Sequence, residues 1–183
     1  GAAVAWWTAL KYPRRVEKLV ILNVPHPAVM LDMLSESRRQ RLKSWYIAYF
    51  QIPRLPEWLL GLGGGYGLAT MMFAASGPNA LNDADIARYQ AAWAQPGALT
   101  AMLNWYRPLV QRRPAMPANL RIRVPTRILW GEKDIALVPE LADASAALCD
   151  DARIVRFPNA SHFVQHDEPA AVNAAILEFI GRA

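Results

Sequence analysis

The run Leu19-Val20-Ile21-Leu22-Asn23-Val24 is the most restrictive stretch of the sequence. It is apolar at nearly every position instead of every second one. A strand built from it must bury both faces, the environment of a parallel sheet covered by helices on both sides. Residues 17–24 are therefore read as a strand, closed by Pro25-His26-Pro27, which continues neither a strand nor a helix. Thr126-Arg127-Ile128-Leu129-Trp130, ending at Gly131, is a second buried strand, and Arg153-Ile154-Val155-Arg156-Phe157 a third. Helices are predicted at 1–12, stopped by Pro13, at 139–148, with Pro139 in the first turn, and at 168–180. Helices alternating with strands specify an α/β fold with a parallel sheet.

Between the first two strands the texture changes. From Ala28 to Arg113 strand-like runs vanish, and helical patterns at about 35–51, 56–60, 67–75, 82–94 and 97–109 stand between Pro and Gly punctuation. Asn82-Asp83-Ala84-Asp85 is a good helix start, with a capping Asn and early acids. The expected organisation is core (1–27), an all-helical cap or lid (28–113) and core again (114–183). Three strands make only one edge of a doubly wound sheet. An apolar helix that begins at Gly1 with nothing before it to cap its N–H groups reads as a truncation, as does the lack of an initial Met or a signal peptide.

Composition narrows the function classes. The net charge of +5 comes from scattered residues. The one basic run, Arg38, Arg39, Arg41 and Lys43, sits beside Glu36 and leads into an apolar stretch. It is read as the solvated side of a helix, so no nucleic-acid partner is expected. No stretch approaches the roughly 18 uninterrupted apolar residues of a membrane span, and residues 57–76 are interrupted by Gly61, Gly63, Gly64, Gly65 and Gly67. The single cysteine, Cys149, excludes an internal disulfide and fits a reducing, cytoplasmic setting. No cluster of His, Cys or acids has ligand spacing, so no metal or organic cofactor is expected. Gly63-Gly64-Gly65-Tyr66-Gly67 follows a helix and has no Lys-Ser/Thr, which argues against a phosphate loop.

Ligands of open parallel sheets sit beyond the carboxyl ends of the strands. Asp134 follows the second strand in Trp130-Gly131-Glu132-Lys133-Asp134, and His162 follows the third in Phe157-Pro158-Asn159-Ala160-Ser161-His162-Phe163. Adjacent parallel strands bring both loops to one sheet edge. A carboxylate beside an imidazole is an orienter–base pair that activates a nucleophile or a water. Each could stand alone as a turn former or a surface histidine, but their joint position favours catalysis. His26 and His166 lack such a partner and are read as structural. No Gly-x-Ser-x-Gly or Gly-x-Asp-x-Gly elbow occurs in the 183 residues.

The segments Trp130-Gly131-Glu132-Lys133-Asp134, Leu137-Val138-Pro139, Ser161-His162-Phe163 and Gln165-His166-Asp167-Glu168-Pro169 resemble the acid and histidine loops of α/β-hydrolases of the epoxide-hydrolase type. Gly1-Ala2-Ala3-Val4-Ala5-Trp6, Tyr12-Pro13-Arg14-Arg15-Val16 and Leu22-Asn23-Val24-Pro25-His26-Pro27 resemble the stretch that follows that family's nucleophile elbow, Gly-His-Asp-Trp-Gly. The resemblance implies that Gly1 is the elbow's last glycine and that a nucleophilic aspartate lies two residues before it. Trp45-Tyr46-Ile47-Ala48-Tyr49-Phe50-Gln51 and Asn104-Trp105-Tyr106-Arg107 resemble the two cap-tyrosine motifs, which implies catalytic roles for Tyr46 and Tyr106. Without the resemblance, either tyrosine could be an ordinary packed aromatic. The implied activity is opening of a small apolar epoxide to a vicinal diol through an aspartyl ester. Two tyrosines would supply the proton, and His162, held by Asp134, would activate water. Trp105, Phe163, Leu137 and Val138 are candidates for an apolar pocket wall, or for plain core packing.

Other classes stay open at this point. A haloacid or haloalkane dehalogenase, or a serine esterase, would use the same frame, and a non-catalytic protein could carry it too. Some members of the fold place their acid after the first strand, where this sequence has Asn23.

Overall fold

The computed structural model describes residues 1–78, 80–112 and 115–181. Strands β1 (Leu19–Leu22), β2 (Thr126–Gly131) and β3 (Ala152–Phe157) form one parallel sheet in the order β1-β2-β3. Leu19 stands opposite Thr126, and Thr126 opposite Ala152. Alternate residues along each strand enter different cores, as the pleat dictates. Leu19, Ile21, Ile128 and Trp130 face a cluster with Trp6 and Ala9 of α1 (Ala2–Lys11) and Leu141 and Ala142 of α9 (Glu140–Ala147). Leu129, with Val20 and Leu22, faces Val164 of α10 (Val164–Asp167) and Val172 of α11 (Pro169–Gly181). The continuous apolar run thus reflects a sheet covered on both sides. Complete burial of Ile21, Ile128 and Leu129 is worth about 1.5–3 kcal/mol apiece.

Between β1 and β2 the described residues hold seven α-helices: α2 (Pro27–Glu36), α3 (Arg38–Lys43), α4 (Trp45–Tyr49), α5 (Leu55–Ala74), α6 (Asp83–Trp93), α7 (Ala98–Leu103) and α8 (Arg107–Gln111). The helix expected over 35–51 is two helices broken at Ser44, and that over 97–109 is broken at Asn104–Tyr106. The largest departure is α2, for which no helix was expected. Pro27 starts it instead of blocking it, because a proline at the first helical position gives up an N–H that would be unpaired anyway. His26 Nδ1 caps it by accepting from Ala28 N at 3.2 Å. Ala28 and Val29 are buried, Val29 in the cluster beneath the sheet, and α2 packs on α1 and α9. The change in packing therefore falls after α2, not at Ala28. The boundary expected at Arg113 and Pro114 lies outside the described residues.

Helix α5 is two helical pieces meeting at Leu62–Gly65, where Gly63, Gly64 and Gly65 have φ of 61°, 71° and 90°. Only glycine accepts three successive left-handed residues without strain. The chain doubles back closely enough that a Cβ on Gly67 would lie 2.9 Å from the Leu59 carbonyl. The insert has apolar clusters of its own, one around Ala69, Met72, Ile86 and Trp93 and one around Phe50, Leu60 and Leu103. At α6, Asn82 accepts from Asp85 N and Asp85 accepts from Asn82 N, a reciprocal capping box. No helix among the described residues is long and apolar enough to cross a membrane.

Candidate active site

The loop after β2 folds around its own acid. Asp134 Oδ1 accepts from the backbone N–H groups of Ala136 and Leu137 at 2.7 and 3.0 Å. Its Oδ2 accepts from Asn23 Nδ2 at 2.9 Å and from His162 Nδ1 at 2.7 Å. Burial pushes the Asp134 carboxyl up, but the bonds from His162, Asn23 and Ala136 outweigh it and hold the group below its usual range. Because a carboxylate only accepts, His162 Nδ1 carries the proton, and Nε2 is left as the basic nitrogen.

The histidine loop is held from two sides. Gly131 lets it close on the end of β2, where a Cβ would collide with the Ser161 carbonyl oxygen. Lys133 N donates to the Ala160 carbonyl at 2.9 Å. Asp167 in α10 accepts from both the backbone N–H and the hydroxyl of Ser161, and from Gly77 N of the insert at 2.7 Å. His166 pairs with Tyr89 of α6, Nε2 to Oη at 3.0 Å.

His162 opens on a cavity of about 490 Å³ between this sheet edge and the insert. Tyr46, Tyr106, Phe163, Met72, Trp93 and Met102 are among the side chains that line it. The rings of Tyr46 and Tyr106 meet edge to face, 5.8 Å between centroids, and both pack on Phe50. Burial, with the charges of Tyr106 and Asp134 adding to it, raises the Tyr46 phenol well above its usual range; burial also raises Tyr106. Both phenols therefore keep their protons at neutral pH. Arg107 braces the pair: Nε donates to the Phe50 carbonyl at 3.0 Å, and the guanidinium bonds Glu57 at 2.7 and 3.0 Å. That bond is the main reason the Glu57 carboxyl is lowered.

Of the candidate wall residues, Phe163 lines the cavity and the other three do not. Trp105 is 67% exposed; it and Tyr106 are consecutive in a turn, so one faces in and the other out. Leu137 and Val138 are buried in the cluster beneath the sheet with Trp6 and Leu141, because the turn around Asp134 sends them toward the core. Three residues with clear roles in the geometry escaped the sequence reading: Asn23, Gln40 and Lys43. Asn23 is buried at φ 42°, and its amide also joins Gly131 N at 2.7 Å and the Gly131 carbonyl at 3.2 Å. Arg38, Arg39 and Arg41 are solvated, whereas Lys43 donates to the carbonyls of Asp134 and Ile135, both at 2.9 Å. No group of three or more His, Cys, Asp or Glu that could hold a metal occurs among the described residues.

A two-sided parallel sheet, an acid–histidine pair at its carboxyl edge and a helical insert over that pair define a class of hydrolases. Residues 1–169 match the family model of the alpha/beta hydrolase fold, and the chain belongs to that family. It is 41% identical over 180 residues to the AB hydrolase superfamily protein YfhM of Bacillus subtilis, covering 98% of this chain and 63% of that protein. It is 36% identical over 186 residues to epoxide hydrolase 2 of Caenorhabditis elegans, covering 98% and 52%. It superposes with TM-score 0.86 on an epoxide hydrolase of Bacillus megaterium at 26% identity, covering 100% of this chain and 66% of that one. That protein has also been solved with an inhibitor and with its product, (R)-3-[1]naphthyloxy-propane-1,2-diol. The chain spans about half to two thirds of the length of these relatives.

Proposed function

We propose that these residues are the acid, histidine and proton-donor part of an epoxide hydrolase, whose nucleophilic aspartate is supplied by polypeptide preceding Gly1. One observation carries the reading: His162, bonded to Asp134 behind it, and the Tyr46–Tyr106 pair line one largely apolar cavity. A base and two phenols around a single space suit a reaction that first releases an alkoxide and then consumes water. Among hydrolases of this fold, a serine esterase has no use for two phenols opposite its base.

In the first step the aspartate carboxylate attacks an epoxide carbon. The C–O bond breaks, the alkoxide takes a proton from the tyrosine pair, and a hydroxyalkyl ester of the enzyme remains. In the second, His162 Nε2 takes a proton from water as its oxygen adds to the ester carbonyl. The acyl C–O bond then breaks, and the imidazolium protonates the departing diol oxygen. The new carboxylic acid returns a proton to the phenolate, so the net reaction is epoxide plus water to diol. Asp134 stabilises the imidazolium in between. The mostly apolar lining supports an uncharged, apolar substrate, and the aryl diol bound by the Bacillus megaterium relative is consistent with that.

The test is His162→Gln in the full-length enzyme, mixed with styrene oxide and followed by intact mass. An adduct of one substrate mass that forms and persists is the expected result. A parent enzyme that forms diol while the variant shows no adduct would remove His162 from the water-activating role. Chloride release from a chloroalkane without diol formation from epoxides would transfer the site to the dehalogenases.

A further inference from the structure

Gln40 has a wholly buried side chain between the solvated Arg38, Arg39 and Arg41 of α3. Its amide is fully used: Oε1 accepts from Val138 N at 3.0 Å, and Nε2 donates to the Ala136 carbonyl at 2.9 Å and to Ser44 Oγ at 2.8 Å. Nearly one turn further along α3, Lys43 bonds the carbonyls of Asp134 and Ile135. Two side chains of one short helix thereby take up four backbone groups of the five-residue loop that carries the acid. The loop's other inward N–H groups, those of Ala136 and Leu137, go to Asp134 itself. Only Ser44 separates the helix that grips the loop from α4, which carries Tyr46.

We infer that Gln40 and Lys43 are positioning residues that hold the acid loop, and through it the Asp134–His162 pair, in register with Tyr46. The role presupposes the epoxide-hydrolase reading above. The physical argument is geometric. The proton donor lies on the insert and the base on the sheet edge, and they reach one substrate only if the two parts keep a fixed spacing. An apolar contact slides by fractions of an ångström at little cost, whereas paired amide bonds to backbone do not. A buried amide that satisfies one N–H and one C=O of a loop fixes its register as a neighbouring strand would, and its loss leaves both buried groups unpaired.

The test uses the full-length enzyme with Gln40→Met, Lys43→Met and Lys43→Arg. Decay of the covalent ester is timed in single turnovers across pH, and the low-field His162 Nδ1–H proton resonance is recorded without substrate. Gln40→Met and Lys43→Met should slow ester decay by about tenfold to a hundredfold and shift or broaden the proton signal. Lys43→Arg should recover most of the lost rate. If Gln40→Met does not fold, the lysine pair decides. Folded variants with the parent's ester decay, pH profile and proton signal would overturn the inference. A parent that forms no ester would defeat the epoxide-hydrolase reading alone, since the proton signal still reports whether the clamp holds His162.

Discussion

Asn23 Nδ2 donates to Oδ2 of Asp134, the same carboxylate oxygen that takes the hydrogen bond from His162 Nδ1. Asn23 is also bonded to both backbone groups of Gly131, so it ties the end of β1 to the end of β2 and aims the acid from that junction. Its left-handed backbone is one that Asn tolerates better than most residues. Asn23→Gly keeps that backbone and removes the amide. Loss of a donor that lowers the Asp134 carboxyl should make it titrate at higher pH than in the parent, and ester hydrolysis should slow by about tenfold. Side-chain carboxyl carbon NMR and single-turnover ester decay check both. An unmoved carboxyl would leave Asn23 as a stitch between strands and nothing more.

Tyr46 and Tyr106 make a second, separable prediction. Tyr46→Phe or Tyr106→Phe should slow ester formation by about a hundredfold each, and the double variant by about ten-thousandfold. Because burial raises both phenols, ester formation should hold its rate through the pH at which an exposed tyrosine ionises, about 10, and fall only above it. Stopped-flow measurement across pH 7 to 11 reads this. A rate falling with a midpoint well below 10, or a double variant as fast as the parent, would take the tyrosines out of the proton-donor role.

The glycine at the end of β2 has no room for a side chain. Gly131→Ala would drive a Cβ into the Ser161 carbonyl oxygen and place it 2.7 Å from that of Ala160. Both obstacles are backbone and cannot rotate away. The histidine loop must then move, and His162 with it. The expected outcome is a stability loss of about 1–3 kcal/mol and ester decay slowed by about a hundredfold. Urea unfolding and single-turnover kinetics measure these, and parent-like values for both would show that the histidine loop does not depend on a bare backbone at residue 131.

The three buried strands and the strand-end loops that carry Asp134 and His162 were legible because they follow from local signals. The apolar runs 19–24 and 126–130 mark buried parallel strands, and polar residues just beyond strand ends are few. Asn23 and Gln40 were illegible for the opposite reason. Nothing in Leu22-Asn23-Val24 or Arg39-Gln40-Arg41 distinguishes a buried amide from a solvated one, since burial is decided by the sequence-distant residues Gly131, Ala136 and Val138. The same holds for Leu137 and Val138, whose apolar character suits a pocket wall and a core equally well. Helix α2 was hidden by Pro27, which reads as a breaker until its place at the first helical position is seen.

His26 predicts a pH dependence of stability independent of catalysis. Its ring is fully buried edge-on to Trp6, with Nδ1 accepting from Ala28 N, so the ring is neutral and its proton sits on Nε2, a buried atom without a hydrogen-bond partner. Burial lowers its pKa from 6.5 to about 4, against the opposing pull of the Leu120 backbone. The unfolded chain therefore binds a proton below about pH 6.5 that the folded protein refuses until about pH 4. Stability rises with pH wherever the unfolded state holds more protons. Its contribution is thus complete near pH 7 and falls between 6.5 and 4, by on the order of 3 kcal/mol in total. His26→Asn keeps a short acceptor for Ala28 N and removes the titration. It should be less stable than the parent at pH 7, where packing on Trp6 is lost, yet decline less steeply on acidification, so that the two curves converge toward pH 4. Urea unfolding of the full-length protein at pH 7, 5.5 and 4.5 measures both slopes. Equal slopes would place the acid sensitivity in other groups, and a steeper decline in the variant would contradict a neutral buried His26.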